Sequence, residues 1–308
     1  MSLRVNTAKM TMQCATGGLV KTSPWIGVLV ILVTLVAPVP SVQADRITTF
    51  VSILPQVYFV ERVGGPWVEV HPLVGPGRSP ATYEPSPKQM SRLSQSRLYF
   101  RIGVPFEETL VPKISRLFKN LKIIDTRRGV KLRFFKGAHG SQAPDPHIWL
   151  DPKRVKTQAG TICEALVQII PESAPALRQN LQTFLADLDR VDAEITGILA
   201  PVKGGRFFVF HPAFGYFADS YGLTQVPIEM EGKTPSPRQL AMLIERARRK
   251  HVKVIFMQPQ YAKKDAKTIA KAIGGAVVPI DPLAPDYMAN LRRIAAAIKK
   301  GLSRGEGR

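Results

Sequence analysis

Between Pro175 and Pro201 the chain places Leu177, Leu181, Phe184, Leu185, Leu188, Val191, Ile195, Ile198 and Leu199 at steps of three and four. That spacing lays an apolar stripe along one face of a helix. Ser173-Ala174-Pro175 supplies a cap and a proline start, and Pro201 supplies the stop. The resulting rod is about 40 Å long at 1.5 Å per residue. One small sheet does not need a cover of that length, so the helix is expected to span two halves of the molecule. A coiled-coil dimer seam is the competing reading, and about four heptads are few for it.

On both sides of the rod, short apolar runs alternate with helical periods. Strands are expected at 47–52, 67–70, 98–104 and 121–124, with helices at 54–63, 87–96 and 107–118. A loose basic segment, 127–142, follows, and then a helix from Asp151 to about Ile170. After Gly204-Gly205 the alternation restarts. Strands are expected at 206–210, 252–257 and 276–280, helices at 213–221, 237–250, 263–273 and 286–300, and a frayed tail from Gly301. Such alternation implies parallel sheets covered on both faces. The expected fold class is therefore α/β, two parallel-sheet lobes joined by one long backbone helix. The expected segments are a signal peptide at 1–44, an N-terminal lobe at 45–171, the linking helix at 172–202 and a C-terminal lobe at 203–308.

The first 44 residues read as an export leader. Arg4, Lys9 and Lys21 precede the apolar run Trp25–Ala37, and small residues lead to Ala44. The run is shorter than the roughly 20 residues that span a bilayer. No cysteine follows the cut site, which argues against lipid attachment, so a periplasmic location is expected. Cys14 lies in the leader, leaving Cys163 without an internal disulfide partner, as a small buried apolar residue. The formal net charge is +20. Nucleic acid is the first class such a charge brings up, yet no helix-turn-helix, zinc-finger spacing or RNA-binding motif accompanies it. A solvated basic surface facing anionic lipid headgroups is the better reading.

The chemistry gathers at Asp145-Pro146-His147-Ile148-Trp149-Leu150-Asp151-Pro152. Two prolines hold this stretch. Asp151 suits a helix cap and Pro152 the first helical position, so His147 sits on a rigid approach. In parallel α/β sheets, ligands bind at the carboxyl ends of strands. There, strand 206–210 runs into His211-Pro212 and strand 276–280 into Asp281-Pro282. Two imidazoles and a carboxylate at such ends suit zinc, manganese or iron rather than the all-oxygen cages of magnesium and calcium. The plainer alternative is that His211 and Asp281 only cap the helices after them.

Four segments then resemble the ligand regions of the zinc/manganese solute-binding proteins of bacterial ABC importers. They are Gly75–Pro85, Pro146–Pro152, Phe210–Gly215 and Pro279–Leu283, in that order, and the stretch Glu231–Pro237 and the long helix also fit. The resemblance implies a periplasmic receptor without catalysis that carries a divalent ion, zinc rather than manganese, to an inner-membrane permease as a monomer. It puts His147, His211 and Asp281 on ligand positions. One departure stands out: where the family has its first histidine, this chain has Ala81. Water, Glu84 or His139 would have to complete the shell, although Glu84 also suits a bond to nearby backbone. His71 and His251 read as ordinary strand-edge residues, and the family's histidine-rich loop is missing. Two further readings remain open: a zinc hydrolase with an open coordination position, though no general base is placed for it, and a degenerate receptor for another solute.

Overall fold

Two four-stranded parallel sheets carry the fold, one on each side of the long helix. The computed structural model describes residues 46–136, 142–229, 237–249, 252–261 and 263–303. The expected leader, His139, His251, the stretch 231–236 and the end of the tail, 304–308, lie outside the described residues. Ala44–Arg308 forms one compact unit.

The first sheet is built from β1 (Ile47–Val51), β2 (Val68–Pro72), β3 (Leu98–Arg101) and β4 (Lys122–Asp125), in the order β2-β1-β3-β4. Helices α1 (Leu54–Gly64), α2 (Pro87–Ser94) and α3 (Glu107–Leu117) connect them. Local sequence fixes several boundaries. Ser86 accepts a hydrogen bond from the Gln89 backbone N–H while the Gln89 side chain returns to Ser86, a reciprocal cap that starts α2 at Pro87. The order reverses between β1 and β3, but that crevice is closed. The fully buried Glu107 carboxylate there accepts from Ser52 Oγ, Ile102 N–H, Gly103 N–H and Arg101. A buried carboxylate satisfied four ways is a structural plug.

A two-stranded antiparallel ribbon, β5 (Phe134–Lys136) with β6 (Gln142–Pro144), occupies the segment expected to be loose. Each strand has only three residues, too few for alternation to show. Helix α4 (Pro152–Ile169) begins as expected: the Asp151 side chain accepts from Lys153 N–H, and Pro152 is its first residue. Helix α5 (Ala174–Leu199) is the rod, 26 residues long. Ser173 precedes it without a side-chain cap, because a 3-10 turn at Pro171–Ser173 runs directly into the helix.

The stripe of α5 is consumed inside the chain. Leu177, Phe184, Leu188, Val191, Ile195 and Leu199 are all buried, which leaves no exposed seam of the coiled-coil kind. Its polar flank holds both halves. Asn180 donates to Val63 O and Asp187 pairs with Arg62 on α1, whereas Glu194 pairs with Arg292 in the second half.

The second sheet has the order β10-β9-β7-β8, all parallel. Its elements are β7 (Arg206–Val209), α6 (Gly215–Ser220), β8 (Thr224–Pro227), α7 (Pro237–Arg249), β9 (Val254–Met257), α8 (Lys263–Ala272), β10 (Ala276–Pro279) and α9 (Tyr287–Ser303). Strand β8 is not apparent in the sequence pattern: Thr-Gln-Val-Pro is a short edge strand ending in proline, with one buried residue. Helix α9 runs past Gly301 to Ser303, so the helix extends three residues further than expected. A Cβ at Gly301 would lie 2.7 Å from Phe256, and only glycine lets the helix approach that ring. Cys163 is buried and free, as expected.

Candidate metal centre

His147 is aimed by its own segment. Asp145 Oδ1 accepts from the His147 backbone N–H at 3.0 Å and lies 2.7 Å from ring Nδ1. Ile148–Leu150 then coils into a buried 3-10 turn. The Trp149 indole N–H donates to Pro282 O at 2.8 Å, and the Tyr287 hydroxyl donates to Trp149 O at 2.8 Å. The histidine segment is thus stitched to the far half, beside the loop that carries Asp281. Asp145 Oδ2 is buried without a hydrogen bond, 3.7 Å from Arg133 Nε.

His211 follows β7 at the point where the second sheet reverses its order between β7 and β9. Such a switch point leaves a crevice between neighbouring connections. Gln258, buried after β9, locks the backbone: its Oε1 accepts from His211 N–H at 3.1 Å and its Nε2 donates to His211 O at 2.7 Å. Ring Nδ1 lies 3.0 Å from Oε2 of the buried Glu229. Tyr261 stacks on the imidazole, with ring centroids 4.9 Å apart and planes 24° apart. Burial pulls the His211 pKa below its ordinary value, and the bond to Glu229 opposes that pull.

The two imidazoles meet. Nε2 of His147 and Nε2 of His211 are 3.3 Å apart, with ring centroids 5.2 Å apart. With both carboxylates accepting at Nδ1, each neutral imidazole carries its proton on that nitrogen. Both Nε2 atoms are then left with a lone pair turned toward the other. Two lone pairs at that distance repel unless a proton or a cation lies between them. A carboxylate behind a histidine is also the arrangement that orients metal-bound imidazole and raises its basicity.

Asp281 stands apart from this pair. Its Oδ1 accepts from Gln260 Nε2 at 2.7 Å and from Leu283 N–H at 2.9 Å. The latter closes a turn ahead of α9, which starts only at Tyr287, so Asp281 does not cap that helix as the plainer sequence reading has it. Among the described residues, no three His, Cys, Asp or Glu side chains gather closely enough to hold an ion. Gln260 Oε1, on the amide that engages Asp281, is buried and unpartnered. Ala81 and Glu84 are both exposed in the loop after β2. Contrary to expectation, Glu84 makes no hydrogen bond to nearby backbone among the described residues. His71 is an ordinary strand-edge residue that pairs with Glu69.

The sequence reading overlooked Asp145, Glu229 and Tyr261. Asp145 had a visible signal, two residues before His147 on the same proline-held stretch. Glu229 and Tyr261 are 18 and 50 residues beyond His211, and only the order of the strands brings them back to it.

Known proteins share this fold. The chain is similar to the crystal structure of ZnuA, with 39% identity, a TM-score of 0.80, and coverage of 83% of this chain and 99% of that one. A ZnuA deletion mutant with zinc bound gives 39% identity and a TM-score of 0.79, with 84% and 98% covered. A Chlamydia muridarum protein described as metal-binding is 30% identical over 265 residues, 83% of this chain and 93% of that protein. The manganese ABC transporter substrate-binding lipoprotein PsaA of Streptococcus pneumoniae is 25% identical over 239 residues, 73% of this chain and 76% of that protein. The family described as ZnuA, zinc-uptake complex component A, periplasmic, matches residues 50–301. With that match over most of its length, the chain belongs to the ZnuA family of periplasmic metal-uptake binding proteins.

Proposed function

We propose that this chain captures zinc between its two α/β lobes and hands it to an inner-membrane ABC permease. Members of this family are binding components of uptake systems and not enzymes, and metal binding within ABC uptake is the general role. The observation carrying the zinc reading is the pair of Nε2 atoms facing each other at 3.3 Å, each imidazole backed by a carboxylate. Paired neutral imidazoles favour zinc over manganese, which takes more oxygen ligands.

In this reading His147 and His211 are the first two ligands. Asp281 becomes the third by exchanging its bond from Gln260 for the ion, and water occupies the position that Ala81 does not serve. Export through a cleaved leader at 1–44, lobes bounded at 171 and 203, and a monomeric state complete the proposal. Manganese is the weaker alternative cargo.

Competition titration of chelated protein against zinc and manganese tests it. One tight zinc site is expected, with manganese weaker, and His147→Ala or His211→Ala should abolish it. Asp281→Ala should weaken zinc without abolishing it. Equal binding by wild type and both histidine variants would refute the assignment.

A further inference from the structure

We propose that the amino-terminal edge of the first sheet is a docking surface for an anionic lipid bilayer. From Thr109 to Ile124 the chain has no acidic residue, and Lys113, Arg116, Lys119 and Lys122 recur every third position. The fold turns this run into a patch. Phe118 O accepts from Leu121 N–H at 3.1 Å, joining the end of α3 to the start of β4. Arg97 O accepts from Lys122 N–H at 3.0 Å, adding the start of β3. Arg97, Arg116, Lys119 and Lys122 are all exposed there. Among the described residues, none of these four is in an ion pair, and Glu69, across β1, is engaged by His71.

In the middle of these cations Leu117 is 61% exposed, one of the few large apolar side chains so open among the described residues. Exposed cations along the same edge as one exposed leucine match a bilayer surface: phosphates attract the ammonium and guanidinium groups, and the acyl boundary receives the apolar tip. A nucleic acid would satisfy the charges and leave Leu117 in water. The patch is on strand starts, whereas the metal centre is on strand ends, so a chain held this way keeps its site edge free. A receptor working against a membrane permease gains from such retention, since fewer dimensions separate it from its partner.

Co-sedimentation with phosphatidylcholine vesicles, alone or containing phosphatidylglycerol, tests the surface. Binding is expected only to the anionic vesicles and should weaken as salt rises. The triple variant Arg116→Gln, Lys119→Gln, Lys122→Gln should lose about a hundredfold in affinity, roughly fivefold per cation. Leu117→Ser should lose about fivefold with every charge kept. A control that removes equal charge elsewhere, Lys267→Gln, Lys271→Gln, Lys300→Gln, should retain most binding. Equal losses in both triples would reduce the effect to net charge and overturn the proposal. So would equal binding to neutral vesicles, the signature of an apolar leader, or binding to duplex DNA with none to vesicles. Zinc titration of each variant reports folding and the metal reading separately, because none of these residues approaches the centre.

Discussion

Replacing Asp145 by asparagine is the sharpest probe of the metal centre, because it removes a charge and almost no volume. Asp145 Oδ1 accepts from both the backbone and the ring of His147, at 3.0 and 2.7 Å, and Oδ2 faces Arg133 Nε at 3.7 Å. An asparagine has one acceptor and one donor to place in those two positions. If its oxygen keeps His147, its NH2 group is pressed against the Arg133 guanidinium, donor against donor, at a position 1% exposed. If it turns over, NH2 faces Nδ1, and the imidazole must carry its proton on Nε2, where it blocks the ion. Either outcome weakens zinc. Outer-shell partners of metal-bound histidines are typically worth 10–100-fold in affinity, or about 1.4–2.7 kcal/mol. The expected result is a loss in that range by competition with a chelating dye at neutral pH. Nitrogen NMR of the imidazole should show the proton moved to Nε2 or the Nδ1 bond weakened. Unchanged affinity with an unchanged Nδ1–H signal would refute the carboxylate-backed reading of His147.

Four further outcomes follow from the same geometry. Glu229→Gln should reduce zinc affinity about 10–100-fold by the same route at His211, read by the same titration, while Glu84→Gln should leave it unchanged. Because burial depresses the His211 pKa, the unfolded chain binds the extra proton first. The stability this residue contributes is present above about pH 6.5, the unfolded value, and is lost as pH falls through the folded value; a series of urea melts across that window without metal should show the decline, and a flat profile in both wild type and His211→Gln would refute it. Ala81→His should tighten zinc by about tenfold or more by adding a protein ligand, and no change would mean that the exposed loop cannot reach the ion. Leu188→Ala in the buried stripe of α5 should cost about 2–5 kcal/mol in urea unfolding, and a loss below about 1 would mean that the rod is not packed as described.

The parts of this molecule that announce themselves in sequence are those set by neighbouring residues. The proline-bracketed stretch around His147, the Asp151 cap and the period of α5 depend on contacts within a few residues, and each is found where the pattern puts it. Strand β8 and the β5–β6 ribbon escape because three or four residues carry no readable period. The centre is half legible for a related reason. His147 and His211 stand at proline-marked ends, but their meeting depends on the strand order β10-β9-β7-β8. Glu229, the partner of His211, is supplied by the chain after β8, the element the pattern hid. Asp281 lies at the predicted strand end, and its bond from Leu283 N–H is local, but its bond from Gln260 is a property of packing that no local motif encodes.

The bonds from Trp149 to Pro282 and from Tyr287 to Trp149 have a kinetic meaning. They tie the His147 segment to the loop that carries Asp281, so the two cannot swing apart like jaws without exposing a buried indole and two orphaned carbonyls. Under the proposed function, cargo would therefore enter by the movement of a few side chains, and scattering profiles of the empty and zinc-loaded protein should superimpose. Under the proposed function, unloading would then fall to the permease, which would have to pull on a clasp that thermal motion leaves shut.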